Sequence, residues 1–225
     1  NWLVYCWMYK QSCIIADEMG LGKTVQSVSF LDLIYNRFNV RGPFLVIAPL
    51  STLPHWQREF ESWTDLRVLL YHGTEASRDV MFEYEFFYKD PKTDQIIPGL
   101  CKFDVILTTY EMCLSGQHHL RNIIWRIGIF DEAHRLKNKN SKAAEVLQTF
   151  QVEHKVLLTG TPIQNSLDEL FALLNFLQPH RFFSMEHFLK EYGNLRRSED
   201  VEKLQALLKP LMLRRLKEDV EKSIP

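Results

Sequence analysis

A glycine-rich loop follows a short apolar run near the start of the sequence, where residues 20–24 are G-L-G-K-T. Glycines let backbone N–H groups approach phosphate oxygens, a lysine supplies positive charge for the β- and γ-phosphates, and a hydroxyl can bind Mg²⁺. Lys23 and Thr24 occupy these positions at the predicted start of a helix, where the helix dipole favours anions. We therefore interpret the loop as a phosphate-binding loop with Lys23 as a catalytic residue and Thr24 as a magnesium ligand.

The loop departs from the strict phosphate-loop pattern, G-x-x-x-x-G-K-[ST]. That pattern requires a glycine at the position where this chain has Asp17. A G-K-T sequence at the start of a helix can also arise by chance, so the loop alone leaves both interpretations open.

A second motif, G-I-F-D-E-A-H, spans residues 128–134 and lies at the end of another apolar run. A carboxylate at the C-terminal edge of a strand, beside a phosphate-binding loop, can hold the Mg²⁺ that bridges the β- and γ-phosphates. We predict this role for Asp131. The adjacent Glu132 can position and deprotonate an attacking water. The alternative is a polar cap after a strand, which does not account for the phosphate-binding loop upstream.

A third motif, L-L-T-G-T-P-I-Q-N, spans residues 157–165 and also follows an apolar run. Thr159, Thr161 and Gln164 are predicted to face the same edge of the sheet as the first two motifs. From there they can hydrogen-bond Glu132 or the γ-phosphate region and report the state of a nucleotide. The motif also contains glycine and proline, so an ordinary strand-to-helix turn explains it equally well on its own.

Six short apolar runs must position these motifs, and they alternate with segments of helical periodicity. This alternation predicts an α/β fold with a mainly parallel sheet covered by helices on both faces, and a mixed α+β domain is the alternative. A helix is predicted over residues 23–37, and the aperiodic segment 83–100 is predicted to be an inserted loop. The runs predicted to form strands span residues 13–17, 43–49, 66–73, 103–110, 125–132 and 154–162.

The pattern changes after Pro162, where helical segments follow one another without a strand. They span residues 167–177, 184–192 and 201–208, and Leu213, Leu216 and Val220 continue at helical spacing. We therefore divide the chain into an α/β core over residues 1–165 and an all-α extension over residues 166–225.

The composition excludes several classes of protein. Apolar residues make up 46% and charged residues 24%, which excludes disordered and fibrous chains. The net charge is −1, so a bulk positive field cannot attract nucleic acid, and any contact with it must be local. The four cysteines form no C-x-x-C pair, which favours free thiols over disulfides or a zinc knuckle. No apolar stretch reaches the ~18–20 residues of a membrane helix.

Two adjacent histidines, His118 and His119, are the remaining candidates for metal ligands. No cysteine or acidic cluster stands at metal-binding spacing from them. We predict that they lie on a surface loop.

Taken together, the motifs resemble those of the first lobe of Snf-type ATPases, which are helicase-like DNA translocases. They occur in the family's order, cover nearly the whole chain, and share the family's departure from the strict phosphate-loop pattern. Residues 41–53, 154–162 and 211–225 look closest to the chromodomain-helicase-DNA-binding remodellers, and within them to the Kismet-like subgroup. The segments that carry the resemblance are 17–24, 48–56, 107–112, 131–138 and 158–165.

The resemblance implies a RecA-like lobe that binds ATP and Mg²⁺ in a nuclear protein. That protein would move along double-stranded DNA and slide or restructure nucleosomes. Matched by motif, Thr24 and Asp131 hold Mg²⁺, Lys23 and Glu132 are catalytic, and Gln164 couples the nucleotide state to DNA. The implied nucleotide-binding residues are Asp17, Glu18, Met19, Gly20, Leu21, Gly22, Lys23 and Thr24.

The resemblance also implies contacts with the DNA backbone. A translocase must hold DNA without reading its bases, so neutral donors to phosphate oxygens suffice. For two of the candidates, Ser51 and Thr52, capping of a helix that begins near Pro54 is an alternative that is compatible with DNA contact. The implied contact residues are Ser51, Thr52, His55, Trp56, Thr108 and Thr109.

Finally, the resemblance implies a second ATPase lobe in the same protein, which would supply arginine fingers worth ~10³–10⁵ in rate. We therefore expect the 225 residues to fold but to hydrolyse ATP at little above background. Two alternatives remain, a lobe of a true strand-separating helicase and an inactive module that binds DNA or nucleosomes. The four intact residues Lys23, Thr24, Asp131 and Glu132 argue against the inactive module.

Overall fold

A seven-stranded sheet lies at the centre of the computed structural model, which describes residues 2–136, 142–160, 167–193 and 198–218. Two further pairs of short strands lie outside this sheet. The strands are β1 (Cys13–Ile15), β2 (Phe44–Ile47), β3 (Val68–Tyr71), β4 (Phe87–Lys89), β5 (Ile96–Cys101), β6 (Val105–Thr108), β7 (Ile124–Trp125), β8 (Ile127–Phe130), β9 (Gln151–Val152), β10 (Lys155–Leu158) and β11 (Met212–Leu213).

The strand order in the sheet is β11-β1-β10-β8-β2-β6-β3, and every pairing is parallel. Each residue of β2, β6, β8 and β10 is buried. Burial on both faces explains why these strands appear in the sequence as continuous apolar runs rather than as alternating patterns. Each of the six runs predicted to form strands contains one strand of this sheet, so the predicted α/β fold is confirmed.

Helices cover both faces of the sheet and divide the core into two apolar clusters. Alternate side chains of β2 show the division, because Leu45 and Ile47 belong to one cluster while Phe44 and Val46 belong to the other. The described helices are α1 (Trp2–Met8), α2 (Lys23–Arg37), α3 (Leu53–Trp63), α4 (Glu75–Met81), α5 (Tyr110–Ser115), α6 (Gln117–Leu120), α7 (Lys142–Gln148), α8 (Leu167–Leu177), α9 (Met185–Tyr192) and α10 (Ser198–Leu208).

The prediction of an irregular loop over residues 83–100 is wrong. A π-helical turn over Phe82–Phe86 leads into an antiparallel hairpin formed by β4 and β5. The Oδ1 atom of Asp90 accepts hydrogen bonds from the N–H groups of Lys92 and Thr93, which closes the turn of the hairpin. Most of β5 is exposed, so the strand carries no alternation that sequence analysis could detect.

The C-terminal extension is helical as predicted, except at its end. Helices α8, α9 and α10 surround a small core of their own, to which Phe171, Phe188 and Leu204 belong. Beyond them, β11 returns to the main sheet and pairs with β1, where Ile14 aligns with Met212. Leu213 is therefore part of a strand and not of the predicted helix. The predicted boundary at residue 165, and Val220, lie outside the described residues.

The four cysteines are free, as predicted. Three of them, Cys6, Cys13 and Cys113, are buried within the core. Among the helices described here, none has the length and apolar composition that crossing a bilayer requires.

Candidate functional site

The glycine-rich loop connects β1 to α2 and begins the site. Gly20 and Gly22 adopt positive φ angles of 89° and 74°, a backbone conformation that side chains disfavour. Gly22 is the residue before α2, so the helix begins at Lys23, as predicted. The unpaired N–H groups of the first helical turn, which includes Thr24, therefore lie at the end of the glycine loop. This is the local geometry that binds phosphate.

The Lys23 ammonium group lies inside the curve of this loop. Its Nζ atom donates to the backbone oxygen of Asp17 over 2.8 Å and to that of Glu18 over 3.3 Å. The lysine is thereby held over the loop rather than extended into solvent.

The Asp17 carboxylate is fully buried beneath the loop. Its Oδ2 atom accepts two hydrogen bonds from the Arg215 guanidinium, one of them from Nε over 3.1 Å. These bonds raise the pKa of Arg215. Arg215 also donates to Gln26 Oε1 over 2.9 Å, and Gln26 Nε2 in turn donates to the backbone oxygen of Leu21. The arginine therefore connects the residue before the loop to the helix after it.

The backbone after β11 adds further contacts to the loop. The N–H of Glu18 donates to the backbone oxygen of Arg215, and the N–H of Lys217 donates to Glu18 Oε2 over 2.7 Å. Among the described residues, the buried Oδ1 atom of Asp17 has no hydrogen-bond partner.

Asp131 lies directly after β8, and both its carboxylate oxygens and its backbone oxygen accept hydrogen bonds. Its Oδ2 atom accepts from the indole Nε1 of Trp56 over 2.9 Å, and its Oδ1 atom accepts from the N–H of Glu132 over 2.9 Å. The Tyr110 hydroxyl donates to the backbone oxygen of Asp131 over 2.8 Å. Burial raises the pKa of Asp131, while the hydrogen bonds and the Lys23 charge oppose that rise. The carboxylate is therefore oriented before any ligand arrives.

Glu132 has an unusual backbone conformation, with φ at 49°. This left-handed conformation is costly for a residue other than glycine. It is followed by a 3-10 turn over Ala133–Leu136, and Glu132 Oε2 lies 3.1 Å from Nδ1 of His134. The glutamate side chain is about one-third exposed, at 32%. It can therefore receive a water molecule.

The third motif joins the other two at the same edge of the sheet. Strand β10 lies between β1 and β8, and the N–H of Thr159 donates to the backbone oxygen of Ile15 over 3.0 Å. A Cβ atom built on Gly160 would lie 2.9 Å from Met19 Cγ and 3.6 Å from Lys23 Nζ. The segment after β10 therefore packs directly against the glycine loop. Thr161 and Gln164 lie outside the described residues.

Three of the residues predicted to contact DNA have enclosed side chains. Trp56 is fully buried, and its indole N–H donates to Asp131. Thr108 is also fully buried, and its hydroxyl donates to the backbone oxygen of Tyr71 over 2.7 Å. Thr109 is 2% exposed and caps α5 by accepting from the N–H of Met112. We revise the prediction for these three side chains, because none presents a polar atom to a phosphate.

The other predicted contacts differ from one another in exposure. Ser51 and His55 are exposed, and the His55 ring lies 3.7 Å from Glu59 on the same helix. The Thr52 hydroxyl donates backwards to the oxygen of Pro49, so its side chain does not cap α3 as the alternative supposed. Pro54 lies in the first turn of α3, as expected.

The supporting roles of Trp56, Tyr110 and Arg215 are not predicted from the sequence. Their partners lie 75, 21 and 198 residues away along the chain, so no local motif could connect them. Only the fold of the parallel sheet brings them together.

These residues fit a nucleoside triphosphate with Mg²⁺. The glycine loop, the N-terminus of a 15-residue helix and the Lys23 ammonium form a site for polyphosphate. The oriented Asp131 carboxylate and the Thr24 hydroxyl are oxygen donors, which Mg²⁺ prefers. Glu132, next to this donor set, has the chemistry of a general base.

Comparisons with known proteins agree with this arrangement. The SNF2-related domain family matches residues 1–225. Over 224 residues the chain is 57% identical to chromodomain-helicase-DNA-binding protein 8 of Xenopus tropicalis and 57% identical to chromodomain-helicase-DNA-binding protein 7 of Homo sapiens. These alignments cover 100% of this chain but only 10% and 7% of the relatives, so the chain spans a small part of their length.

A solved structure is similar as well. The Sulfolobus solfataricus SWI2/SNF2 ATPase core in complex with double-stranded DNA superposes with a TM-score of 0.80 at 28% sequence identity. The match covers 97% of this chain and 43% of that chain.

Proposed function

Since this chain belongs to the SNF2-related domain family, we propose that it is the ATP-binding lobe of a DNA-dependent ATPase that remodels nucleosomes. The predicted resemblance to Snf-type ATPases and to the chromodomain-helicase-DNA-binding proteins is confirmed, and the matches to proteins 7 and 8 of that series are consistent with the Kismet-like subgroup. What the whole protein does with this lobe is part of the proposal, because the chain covers so little of its relatives.

One observation carries the proposal, the convergence of three separate motifs at one edge of the sheet. Lys23 is held over the glycine loop, and Gly160 packs against the same loop. Asp131 follows β8, which lies two positions from β1 in the sheet. Carboxyl ends of parallel strands are the usual place for a nucleotide.

The roles of the residues follow from their chemistry. The loop amides and Lys23 bind the phosphates, and Thr24 and Asp131 hold Mg²⁺. Glu132 takes the proton from the attacking water. Bound ATP supplies the scissile anhydride bond, and Mg²⁺ neutralises charge on its β- and γ-phosphates. The position of Trp56 keeps Asp131 Oδ2 in a fixed orientation, so the aspartate needs no rearrangement when the metal binds.

The role of Gln164 in coupling the nucleotide state to DNA stays a prediction.

Double-stranded DNA is the proposed track, in nucleosomes and in the nucleus. The similar solved structure holds double-stranded DNA, and two of the predicted contact residues are exposed, Ser51 just before α3 and His55 in its first turn. A net charge of −1 requires such local contacts rather than a bulk field. We also propose that a second ATPase lobe of the same protein completes the site and the DNA groove.

The two alternatives differ from this proposal in measurable ways. A strand-separating helicase would unwind a duplex in a displacement assay, whereas a remodeller would slide a nucleosome without unwinding. An inactive module would bind DNA with no dependence on ATP. The oriented Asp131 carboxylate and the strained Glu132 backbone favour an active site, because a scaffold gains nothing from either.

The test uses Glu132→Gln and Lys23→Ala in the full-length protein, with Glu61→Gln on the exposed face of α3 as the control. We expect Glu132→Gln to bind ATP but to lose DNA-stimulated hydrolysis, Lys23→Ala to lose both, and the control to retain both. Unchanged hydrolysis in Glu132→Gln would refute the role of Glu132. DNA-stimulated turnover by the 225-residue chain itself, abolished by Lys23→Ala, would refute the need for a second lobe.

A further inference from the structure

Three potential metal ligands meet near β3, at the side of the sheet away from β1 and the glycine loop. Asp79 of α4 and His118 and His119 of α6 each offer one ligand atom, and these atoms lie within 4.8 Å of one another. Asp79 Oδ1 lies 3.3 Å from His119 Nε2 and 4.0 Å from His118 Nε2. The prediction that both histidines lie on a surface loop is wrong, because they belong to α6 and His119 is 7% exposed.

We propose that Asp79, His118 and His119 form a binding site for a divalent transition metal, with Zn²⁺ as the best fit. Zinc bound to nitrogen and oxygen ligands at ~2.0–2.1 Å in a tetrahedron separates them by ~3.3 Å. The 3.3 Å between Asp79 Oδ1 and His119 Nε2 matches this ligand-to-ligand separation. The 4.0 Å between Asp79 Oδ1 and His118 Nε2 requires a small movement of the exposed His118 ring. Water takes the fourth position.

The His119 ring is held as metal-binding histidines are held. Its Nδ1 atom lies 2.8 Å from the Tyr71 hydroxyl, and its face stacks on Phe82 with ring centroids 4.4 Å apart. When Nδ1–H donates to the tyrosine oxygen, Nε2 carries the lone pair that faces Asp79. Such a bond at the second nitrogen fixes the tautomer and the direction of a ligating histidine.

The tyrosine itself is fixed by the packing around it. Tyr71 is fully buried at the end of β3, and a Cβ atom on Gly116 would lie 2.1 Å from its hydroxyl oxygen. Glycine at this position therefore makes room for the Tyr71–His119 contact. The histidine and its supporting residue are thus built into the core, while the other two ligands are exposed and can adjust.

An ordinary ion pair explains these contacts less completely. One protonated histidine neutralises the charge of one carboxylate, yet here two imidazoles lie side by side, with ring centroids 4.0 Å apart, facing the same Asp79 oxygen. Arg78, next to Asp79 in the chain, donates instead to the backbone oxygen of Gly73 over 2.6 Å. In the described part of the chain, the Asp79 carboxylate therefore pairs with the two histidines.

The donor set distinguishes this site from the magnesium site. Two imidazoles and one carboxylate favour zinc, copper or nickel over Mg²⁺ and Ca²⁺. Strand β3 and strand β1 lie at opposite sides of the sheet, so a metal here joins α4 to α6 without touching the glycine loop. Its effect is a local cross-link between two short helices.

The test is a titration of the chelator-treated 225-residue chain with ZnCl₂ and with CoCl₂. We expect one equivalent of zinc to bind and to raise the melting temperature. Asp79→Asn and His118→Ala, both at exposed side chains, are expected to weaken binding more than about tenfold, and Tyr71→Phe to weaken it about 10–100-fold. The matched control is His187→Ala, because His187 lies 3.8 Å from Glu191 in a similar exposed pair. This variant is expected to leave zinc binding unchanged.

Three results would overturn the proposal. The first is zinc affinity no better than millimolar in the unmodified chain, which would leave an ordinary ion pair. The second is unchanged affinity in both Asp79→Asn and His118→Ala. The third is a cobalt spectrum with intense thiolate charge-transfer bands, which would place the metal on cysteine instead.

Discussion

The indole N–H of Trp56 donates to Oδ2 of Asp131 over 2.9 Å, although 75 residues separate the two in the chain. This bond joins α3 to the residue that follows β8. The second carboxylate oxygen is held by the N–H of Glu132. A tryptophan that sequence analysis assigned to DNA therefore orients the carboxylate proposed to hold Mg²⁺.

Replacing Trp56 by phenylalanine removes this hydrogen bond and keeps most of the buried ring. Because a hydrogen bond to a charged group contributes about 1.5–3 kcal/mol, Trp56→Phe should lower the free energy of unfolding by that amount or slightly more. Urea denaturation measures the change. Trp63→Phe is the control, since Trp63 donates to Glu59 over 2.9 Å at an exposed position, where loss should cost under about 1 kcal/mol. Equal losses in both variants would contradict the buried role of Trp56.

Arg215→Met should destabilise the chain by leaving the Asp17 carboxylate buried and unpaired. Removing one partner of a buried pair costs about 3–5 kcal/mol, and the 41% exposure of the Arg215 side chain places the loss nearer about 2–3 kcal/mol. The double variant Arg215→Met with Asp17→Asn should recover part of the loss. Arg126→Met breaks an exposed pair with Glu153 and should cost under about 1 kcal/mol. No recovery in the double variant would show that the two side chains act independently.

Glu132 has a left-handed backbone conformation, so glycine should be more stabilising than alanine at this position. Both substitutions remove the carboxylate, but glycine adopts positive φ without strain, and Glu132→Gly should be about 1 kcal/mol more stable than Glu132→Ala. At Glu145, an exposed position inside α7, the order should reverse by about 1 kcal/mol because glycine weakens a helix. Thermal or urea unfolding of the four variants checks the sign, and the same sign at both positions would refute strain at Glu132.

His154 should make the stability depend on pH. Burial lowers the pKa of His154 from 6.5 to about 4, so the ring is neutral in the folded chain, and the unfolded chain takes up the proton first as the pH falls. The resulting stability is present above about pH 6.5 and is lost as the pH falls towards 4.

The loss between pH 7 and pH 5 should be about 2 kcal/mol for this histidine alone. In urea denaturation, the free energy of unfolding of His154→Leu should fall by about 2 kcal/mol less than that of the unmodified chain between pH 7 and pH 5. Identical pH profiles would mean that His154 is hydrated in the folded state.

The sequence was sufficient for the fold where a strand is buried on both faces and bounded by turn residues. The runs around Phe44–Ile47 and Ile127–Phe130 are buried on both faces, so their apolar character alone identifies them. Met212–Leu213 is only two residues long, and its pairing with β1 depends on the distant strand rather than on its own pattern. The β4–β5 hairpin lacked a detectable pattern because its second strand is largely exposed.

The candidate site divides in the same way. The placement of Lys23 and Asp131 at one edge could be predicted, because their motifs follow strands and parallel strands bring their carboxyl ends together. Trp56 and Arg215 could not be identified, because each supports its carboxylate from a distant segment through a contact that only the folded chain creates. Thr108 was assigned to DNA from its motif, but its burial at the end of β6 is a property of packing.

The Lys23 ammonium donates to the backbone oxygens of Asp17 and Glu18. These oxygens therefore compete with any phosphate for the ammonium group. A phosphate gains only the difference between its attraction for the ammonium and that of two peptide oxygens. On the proposed function, a polyphosphate would contact the ammonium and several loop amides at once, so it should displace these oxygens more readily than a small monovalent anion such as chloride. On the proposed function, we expect the loop itself to favour multiply charged ligands over simple salts, without the help of a second domain or DNA.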